Sequence, residues 1–120
     1  MHEVEIKIIN TSGNNLPEYA TNGAAGLDLK ANLESPVTLQ PFERAMIPTG
    51  IFIEIPHGFE AQVRPRSGLA INHGITCLNS PGTVDSDHRD ELKVILIHLS
   101  KKEYVIKNGD RRAQLVISKV

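Results

Sequence analysis

Apolar positions along this chain recur mainly at every second residue. Val4, Ile6 and Ile8 alternate with Glu5 and Lys7. Ile51, Ile53 and Ile55 lead into Pro56-His57-Gly58, after which Phe59, Ala61 and Val63 resume the alternation. A period of two puts each set on one face of an extended strand. Two such runs around a three-residue turn predict a β-hairpin. Tyr104-Val105-Ile106 and Ala113, Leu115 and Ile117 flank Asn108-Gly109-Asp110 in the same way and predict a second hairpin. Leu92, Val94 and Leu96 also alternate, but Ile95 and Ile97 fill the positions between them. A strand apolar on both faces is expected between layers or between subunits.

No helix is predicted. Nine Gly and seven Pro punctuate the chain from Gly13 to Gly109, leaving few windows long enough for one. The stretch from Thr83 to Asn108 holds neither residue, but it is rich in β-branched side chains and shows no 3.6-residue apolar stripe. About eight to ten short strands, spaced roughly 8–12 residues apart, read as an all-β sandwich or barrel. With no Trp, two Tyr and three Phe, the core must be filled by Ile, Val and Leu, which suits strands.

The 120 residues are expected to form a single domain over 1–120. A formal net charge of −1 excludes a generic basic nucleic-acid footprint. No apolar run approaches a membrane span, and the charged start MHEVEIKIIN is unlike a signal peptide. One cysteine excludes an intramolecular disulfide framework and a multi-cysteine zinc site. A reducing, cytoplasmic location is therefore expected. Cys77, between Thr76 and Leu78, reads as a small buried hydrophobe.

Four polar clusters interrupt the strand pattern. Asp28 sits inside the small-residue segment Ala24-Ala25-Gly26-Leu27-Asp28-Leu29. Pro65-Arg66-Ser67-Gly68-Leu69 combines a guanidinium fork, a hydroxyl and a glycine. Such a trio can grip phosphate, or simply turn the chain at a strand end. The segment from Asn79 to Asp90 is the densest, and reads equally as a solvated hairpin tip or a site. Gly109-Asp110-Arg111-Arg112-Ala113-Gln114 opens the last strand and can be a turn with a polar face. His88-Arg89-Asp90 matches the start of a kinase catalytic loop, but the chain is too short for a kinase and has no Asp-Phe-Gly.

In this order, Ala25-Gly26-Leu27-Asp28-Leu29, Pro65-Arg66-Ser67-Gly68-Leu69-Ala70, Gly82-Thr83-Val84-Asp85-Ser86-Asp87 and Gly109-Asp110-Arg111-x-Ala113-Gln114-Leu115 resemble four of the five motifs of the trimeric dUTPases. The resemblance covers essentially the whole chain. It implies a distorted jelly-roll-like β-barrel, hydrolysis of dUTP to dUMP and pyrophosphate with Mg²⁺, and a homotrimer with sites at subunit interfaces. Asp28 matches the aspartate that holds the hydrated Mg²⁺ through water, as suits a hard cation that keeps its waters. Arg66, Ser67 and Gly68 match the phosphate-binding segment. Asn79 lies where an amide faces uracil in some members, and an amide both donates and accepts. Thr83, Val84 and Asp85 match the hairpin that clasps the nucleoside, with Asp85 orienting the attacking water. The main chain around Lys93 matches a further uracil contact. Arg111 and Gln114 match the motif near the phosphates.

Three departures from the family pattern stand out. His88 occupies a position that is usually a tyrosine packed on the deoxyribose. Asp90 stands where glycine is usual, which would strain the backbone if the position needs φ > 0. The sequence ends at Val120, before the Gly-rich arm that carries the fifth motif. The missing arm, with His88 and Asp90, leaves an inactive nucleotide-binding or regulatory module as the alternative. The dCTP deaminases share the fold, but their catalytic glutamate would fall on Ile95, which cannot act as a base.

Overall fold

The computed structural model describes residues 3–120, and the alternating segments are strands in it, except that the first begins only at Lys7 and leaves Val4 to Ile6 outside. In chain order these are β1 (Lys7–Asn10), β2 (Leu27–Lys30), β3 (Val37–Leu39), β4 (Arg44–Pro48), β5 (Ile51–Glu54) and β6 (Phe59–Arg64). A short helix α1 (Ser67–His73) precedes β7 (Ile75–Cys77), β8 (Gly82–Val84), β9 (Lys93–His98), β10 (Tyr104–Ile106) and β11 (Arg111–Lys119). They form a four-stranded sheet β2-β11-β6-β8, a three-stranded sheet β4-β9-β7, and the pairs β1-β5 and β10-β3. Leu29, Ala61, Leu96, Ile106, Ala113 and Leu115 from these sheets meet in one core, filled by Leu, Ile, Val and Ala as the composition requires. The jelly-roll-like, mostly β architecture expected from the sequence is the one observed. Among the described residues, no helix is long and apolar enough to cross a membrane.

The helix corrects the expectation of none. Arg66 is extended (φ −91°, ψ 128°) and serves as the N-cap. Gly74 ends the helix in the left-handed region at φ 66°, its N–H donating to the Ala70 carbonyl. Only Leu69 of the seven residues is buried, so no apolar stripe existed for the sequence to display.

Both predicted turns form, but neither closes a hairpin. The Phe59 N–H donates to the Pro56 carbonyl at 3.2 Å, with Gly58 at φ 93°. Yet β5 pairs with β1 (Lys7 opposite Glu54), while β6 pairs with β11 and β8. Likewise the Asp110 N–H donates to the Lys107 carbonyl at 3.1 Å, but β10 pairs with β3 and β11 with β2 and β6. Each turn is a corner where the chain passes from one sheet to another. Alternation fixes which face of a strand is buried, not which strand lies beside it.

The doubly apolar strand is β9, the centre of its sheet. Val94, Leu96 and His98 are buried on one face, while Ile95 and Ile97 on the other are half-buried. Met46, directly opposite Ile95 in β4, shares that second face and is largely exposed.

Cys77 lies opposite Leu96 and is 3% exposed. Burial pushes its thiol from 9.0 up to about 11. Below pH 9 the thiol is therefore both protonated and shielded, and only the thiolate is nucleophilic. Iodoacetamide at pH 8 should leave the folded chain unlabelled and label it fully in denaturant; rapid native labelling would contradict this burial.

Candidate active site

The four-stranded sheet carries one cluster near its β2 edge. Asp28 on β2 is the direct partner of Gln114 on β11, so their side chains share a face. The Asp28 side chain is 8% exposed; its Oδ1 lies 3.7 Å from Arg66 Nε and its Oδ2 3.6 Å from Arg111 Nη1. These separations exceed the ~2.7–2.9 Å of a charge-assisted hydrogen bond. The attraction is Coulombic, and both guanidinium forks keep free donors. Arg66 Nη1 donates one bond, to the Arg111 carbonyl at 3.3 Å, which ties the segment after β6 to β11. Asp28 Oδ1 is buried without a hydrogen-bond partner.

Two glycines shape this cluster. Gly26 is buried, and a Cβ there would stand 3.0 Å from Gln114 Cβ, so a bare backbone lets β11 seat Gln114. The sequence reading gave Gly26 no role of its own; its place two residues before Asp28, where a strand begins, was the available signal. Gly68, exposed beside Ser67 at the start of α1, is different. Nothing lies within 4 Å of its Cβ position and its φ is ordinary, so neither packing nor a turn calls for glycine. Open space over a bare backbone suits a ligand that approaches closely.

A second cluster lies at the β8 edge. Asn79, Thr83, Val84, His88 and Lys93 line a pocket of about 190 Å³ between β8 and β9. Gly82 leaves room for the Asn79 amide, since a Cβ there would fall 2.9 Å from Asn79 Nδ2. His88 is half-buried, its N–H donates to the Asp85 carbonyl at 3.1 Å, and its ring Nε2 is buried without a partner. Glu91 also lines this pocket and accepts from the Gly50 N–H at 2.9 Å. The sequence reading missed it, because one acid among many carries no distinguishing pattern. Asp85 is exposed at the tip of the segment and lines neither cluster. Asp90 is exposed and is not at positive φ, so aspartate there carries no left-handed strain.

The sequence-derived residues thus divide in two. Asp28, Arg66, Arg111 and Gln114 gather at one edge, with Ser67 and Gly68 adjoining. Asn79, Thr83, Val84, His88 and Lys93 gather at the other. β2 and β8 are the outer strands of the sheet, and three strand steps separate them by about 14 Å. Among the described residues, no group of three His, Cys, Asp or Glu side chains stands close enough to hold a metal ion. The orphaned Asp28 Oδ1 is instead suited to accept from metal-bound water.

A family model described as dUTPase matches residues 4–120. The deoxyuridine 5'-triphosphate nucleotidohydrolase of Finegoldia magna is 53% identical over 97% of this chain and 81% of its own length. The protein of that name from Rhizobium etli is 58% identical over 96% of this chain and 75% of its own. A mutant dUTPase from phage phi11 of S. aureus, which coordinates a structural Mg(II) ion, matches the fold with a TM-score of 0.87, over 97% of this chain and 91% of that one, at 22% identity. A mutant dUTPase of Staphylococcus bacteriophage 80alpha with dUpNHpp matches at a TM-score of 0.85, over 97% of this chain and 90% of that one, also at 22% identity. The solved structures speak for the fold alone, while the family model over residues 4–120 and the sequence matches show that this chain belongs to the dUTPase family.

Proposed function

We propose that the chain, as one dUTPase-like domain over 1–120, is a dUTP diphosphatase that hydrolyses dUTP to dUMP and pyrophosphate. The observation that carries the reading is the convergence of Arg66 and Arg111 on buried Asp28 at 3.6–3.7 Å, with donors free on both forks. A triphosphate arriving there competes with one carboxylate for two guanidinium groups, and wins the donors that Asp28 does not engage. The Ser67 hydroxyl and the backbone N–H groups at Ser67 and Gly68 supply further donors to the chain of phosphates. Asp28, relieved of its arginines, would hold a hydrated Mg²⁺ through its water shell. When bound, Mg²⁺ neutralises phosphate charge and polarises the phosphoryl oxygens.

The second cluster is read as the nucleoside pocket. The Asn79 amide and the main chain at Lys93 address the uracil edge, Thr83 and Val84 clasp the nucleoside, and the His88 ring packs against the sugar. Asp85 orients a water and takes its proton as the oxygen attacks the α-phosphorus. The bond from that phosphorus to the bridging oxygen breaks, and pyrophosphate leaves with its charge met by Arg66 and Arg111. Gln114, opposite Asp28, holds a phosphate oxygen in line.

In this reading the two clusters are halves of sites shared between copies in a homotrimer. Their separation to opposite sheet edges supports it, as does the uncovered face of Met46, Ile95 and Ile97. The substrate is a free nucleotide, the partners are copies of the chain rather than nucleic acid or a membrane, and the place of work is the cytoplasm.

Asp85→Asn should lower pyrophosphate release by about 10²–10⁴-fold while a non-hydrolysable dUTP analogue still binds; unchanged turnover would remove Asp85 as the base. Gly82→Ala should push the Asn79 amide aside and raise KM for dUTP with little change in kcat, checked by steady-state kinetics beside a thermal melt. Light scattering at micromolar concentration should give three times the 13.2 kDa chain mass; the mass of one chain would overturn the shared-site reading.

A further inference from the structure

The chain holds two Asn-Gly pairs, Asn22-Gly23 and Asn108-Gly109, and the fold treats them oppositely. Glycine after asparagine matters because a residue without Cβ lets its backbone nitrogen reach the asparagine side-chain carbon. At Asn108 both groups that would react are engaged. Its Oδ1 accepts from the Leu33 N–H at 3.0 Å, and the Gly109 N–H donates to the Ala31 carbonyl at 2.8 Å. The Asp110 N–H closes the turn onto the Lys107 carbonyl at 3.1 Å, with Gly109 at φ 85°. At Asn22 neither group is held. Among the described residues, the Asn22 amide and the Gly23 N–H make no hydrogen bond, and nothing lies within 4 Å of the Gly23 Cβ position. One bond spans the pair, from the Ala24 N–H to the Thr21 carbonyl at 3.2 Å. Exposure does not separate the two sites, since Asn22 and Asn108 are both exposed; engagement of the backbone and the amide does.

We propose that Asn22 is a site of spontaneous deamidation in the native chain, and that the fold protects Asn108 from the same reaction. The Gly23 nitrogen gives up its proton to solvent base and bonds to Asn22 Cγ. The bond from Cγ to the side-chain nitrogen breaks, that nitrogen takes a proton from solvent, and ammonia leaves a succinimide. Water then opens the ring at one carbonyl or the other, giving aspartate or isoaspartate. Water is the only co-reactant, and nothing is oxidised or reduced. Each event adds one negative charge to a chain whose formal charge is −1. The isoaspartyl product also routes the main chain through the former side-chain carbon and lengthens the loop by a methylene. That loop is tied at its base, where Tyr19 bridges Leu27 and the Asp28 N–H donates to the Glu18 carbonyl at 3.2 Å. The tip is therefore free to change while the strand below it keeps its place. The base of the loop, through Glu18, Tyr19 and Ala20, lines a cavity of about 350 Å³ with Asp28, Lys30 and Arg111, so the new charge enters on a loop that borders the candidate active site.

The test is peptide mapping by mass spectrometry of the full chain aged at pH 8, once folded and once in denaturant, with isoelectric focusing beside it. The folded chain should convert at Asn22 first, giving an aspartyl and an isoaspartyl form of that peptide and a more acidic band. Two ordinary hydrogen bonds must open before Asn108 reacts, so it should convert about ten-fold or more slowly than Asn22 while folded. In denaturant the two pairs should convert at similar rates. Gly23→Ala, whose added methyl meets open space in the fold but hinders the attacking nitrogen, should slow conversion at Asn22 and leave the thermal melt unchanged. Equal rates at the two pairs in the folded chain would overturn the proposal. So would an Asn22 that stays intact while the denatured chain converts, or earlier conversion of any other asparagine of the folded chain. None of these readouts depends on what the candidate active site turns over.

Discussion

The double pairing of β11 is the constraint on which the molecule depends. This nine-residue strand is hydrogen-bonded to β2 on one side and β6 on the other, and its Ala113 and Leu115 enter the core. A strand held on both sides and buried beneath cannot slip by one residue without turning its core residues to solvent. That fixed register sets Gln114 opposite Asp28 and places Arg111 where it meets the same carboxylate. The shift in pairing between Arg111 and Ala113 frees the start of the strand from strict alternation at this point. The polar chemistry is thus located by an apolar requirement one residue away.

Asp28 shows how the electrostatics follow. A buried carboxylate needs opposite charge nearby, and two arginines supply it at distances too long for tight pairing. An ideal bidentate pair would satisfy the carboxylate and tie up its donors. The looser arrangement keeps it neutralised while leaving the guanidinium groups able to move to another anion. Arg112 is the contrast: close contacts to Asp110 and Tyr104 make it part of the scaffold. Adjacent residues in the same motif thereby serve opposite ends.

Much of this was legible in the sequence, and the limits have physical causes. Ile51 to Ile55 and Leu92 to Ile97 announced strands because period-two burial marks each residue, while the alternation from Val4 to Ile8 only overlaps the strand that starts at Lys7. The partners of those strands were not legible, because a turn such as Pro56-His57-Gly58 reverses the chain equally well in a hairpin or at a corner. The helix from Ser67 to His73 was hidden, since one buried leucine writes no pattern. The candidate site residues came from motif resemblance, and their division between two sheet edges is a property of strand order that no local segment encodes. Arg112 drew no separate notice because a second arginine in a charged turn is ordinary in a sequence.

The two corners that replace hairpins also govern how the chain reaches this structure. β1 waits for β5, β2 for β11 and β3 for β10, so no sheet can be completed from a short local segment. Closing those long loops costs entropy before any core forms to offset it. Chains of such non-local topology fold in roughly milliseconds to seconds rather than microseconds. During that interval β2 and β11 expose unpaired edges and apolar faces together, which is the condition under which chains associate wrongly. The strand order that fixes the register of Gln114 against Asp28 in the finished molecule is therefore what makes its assembly slow and its partly folded forms vulnerable.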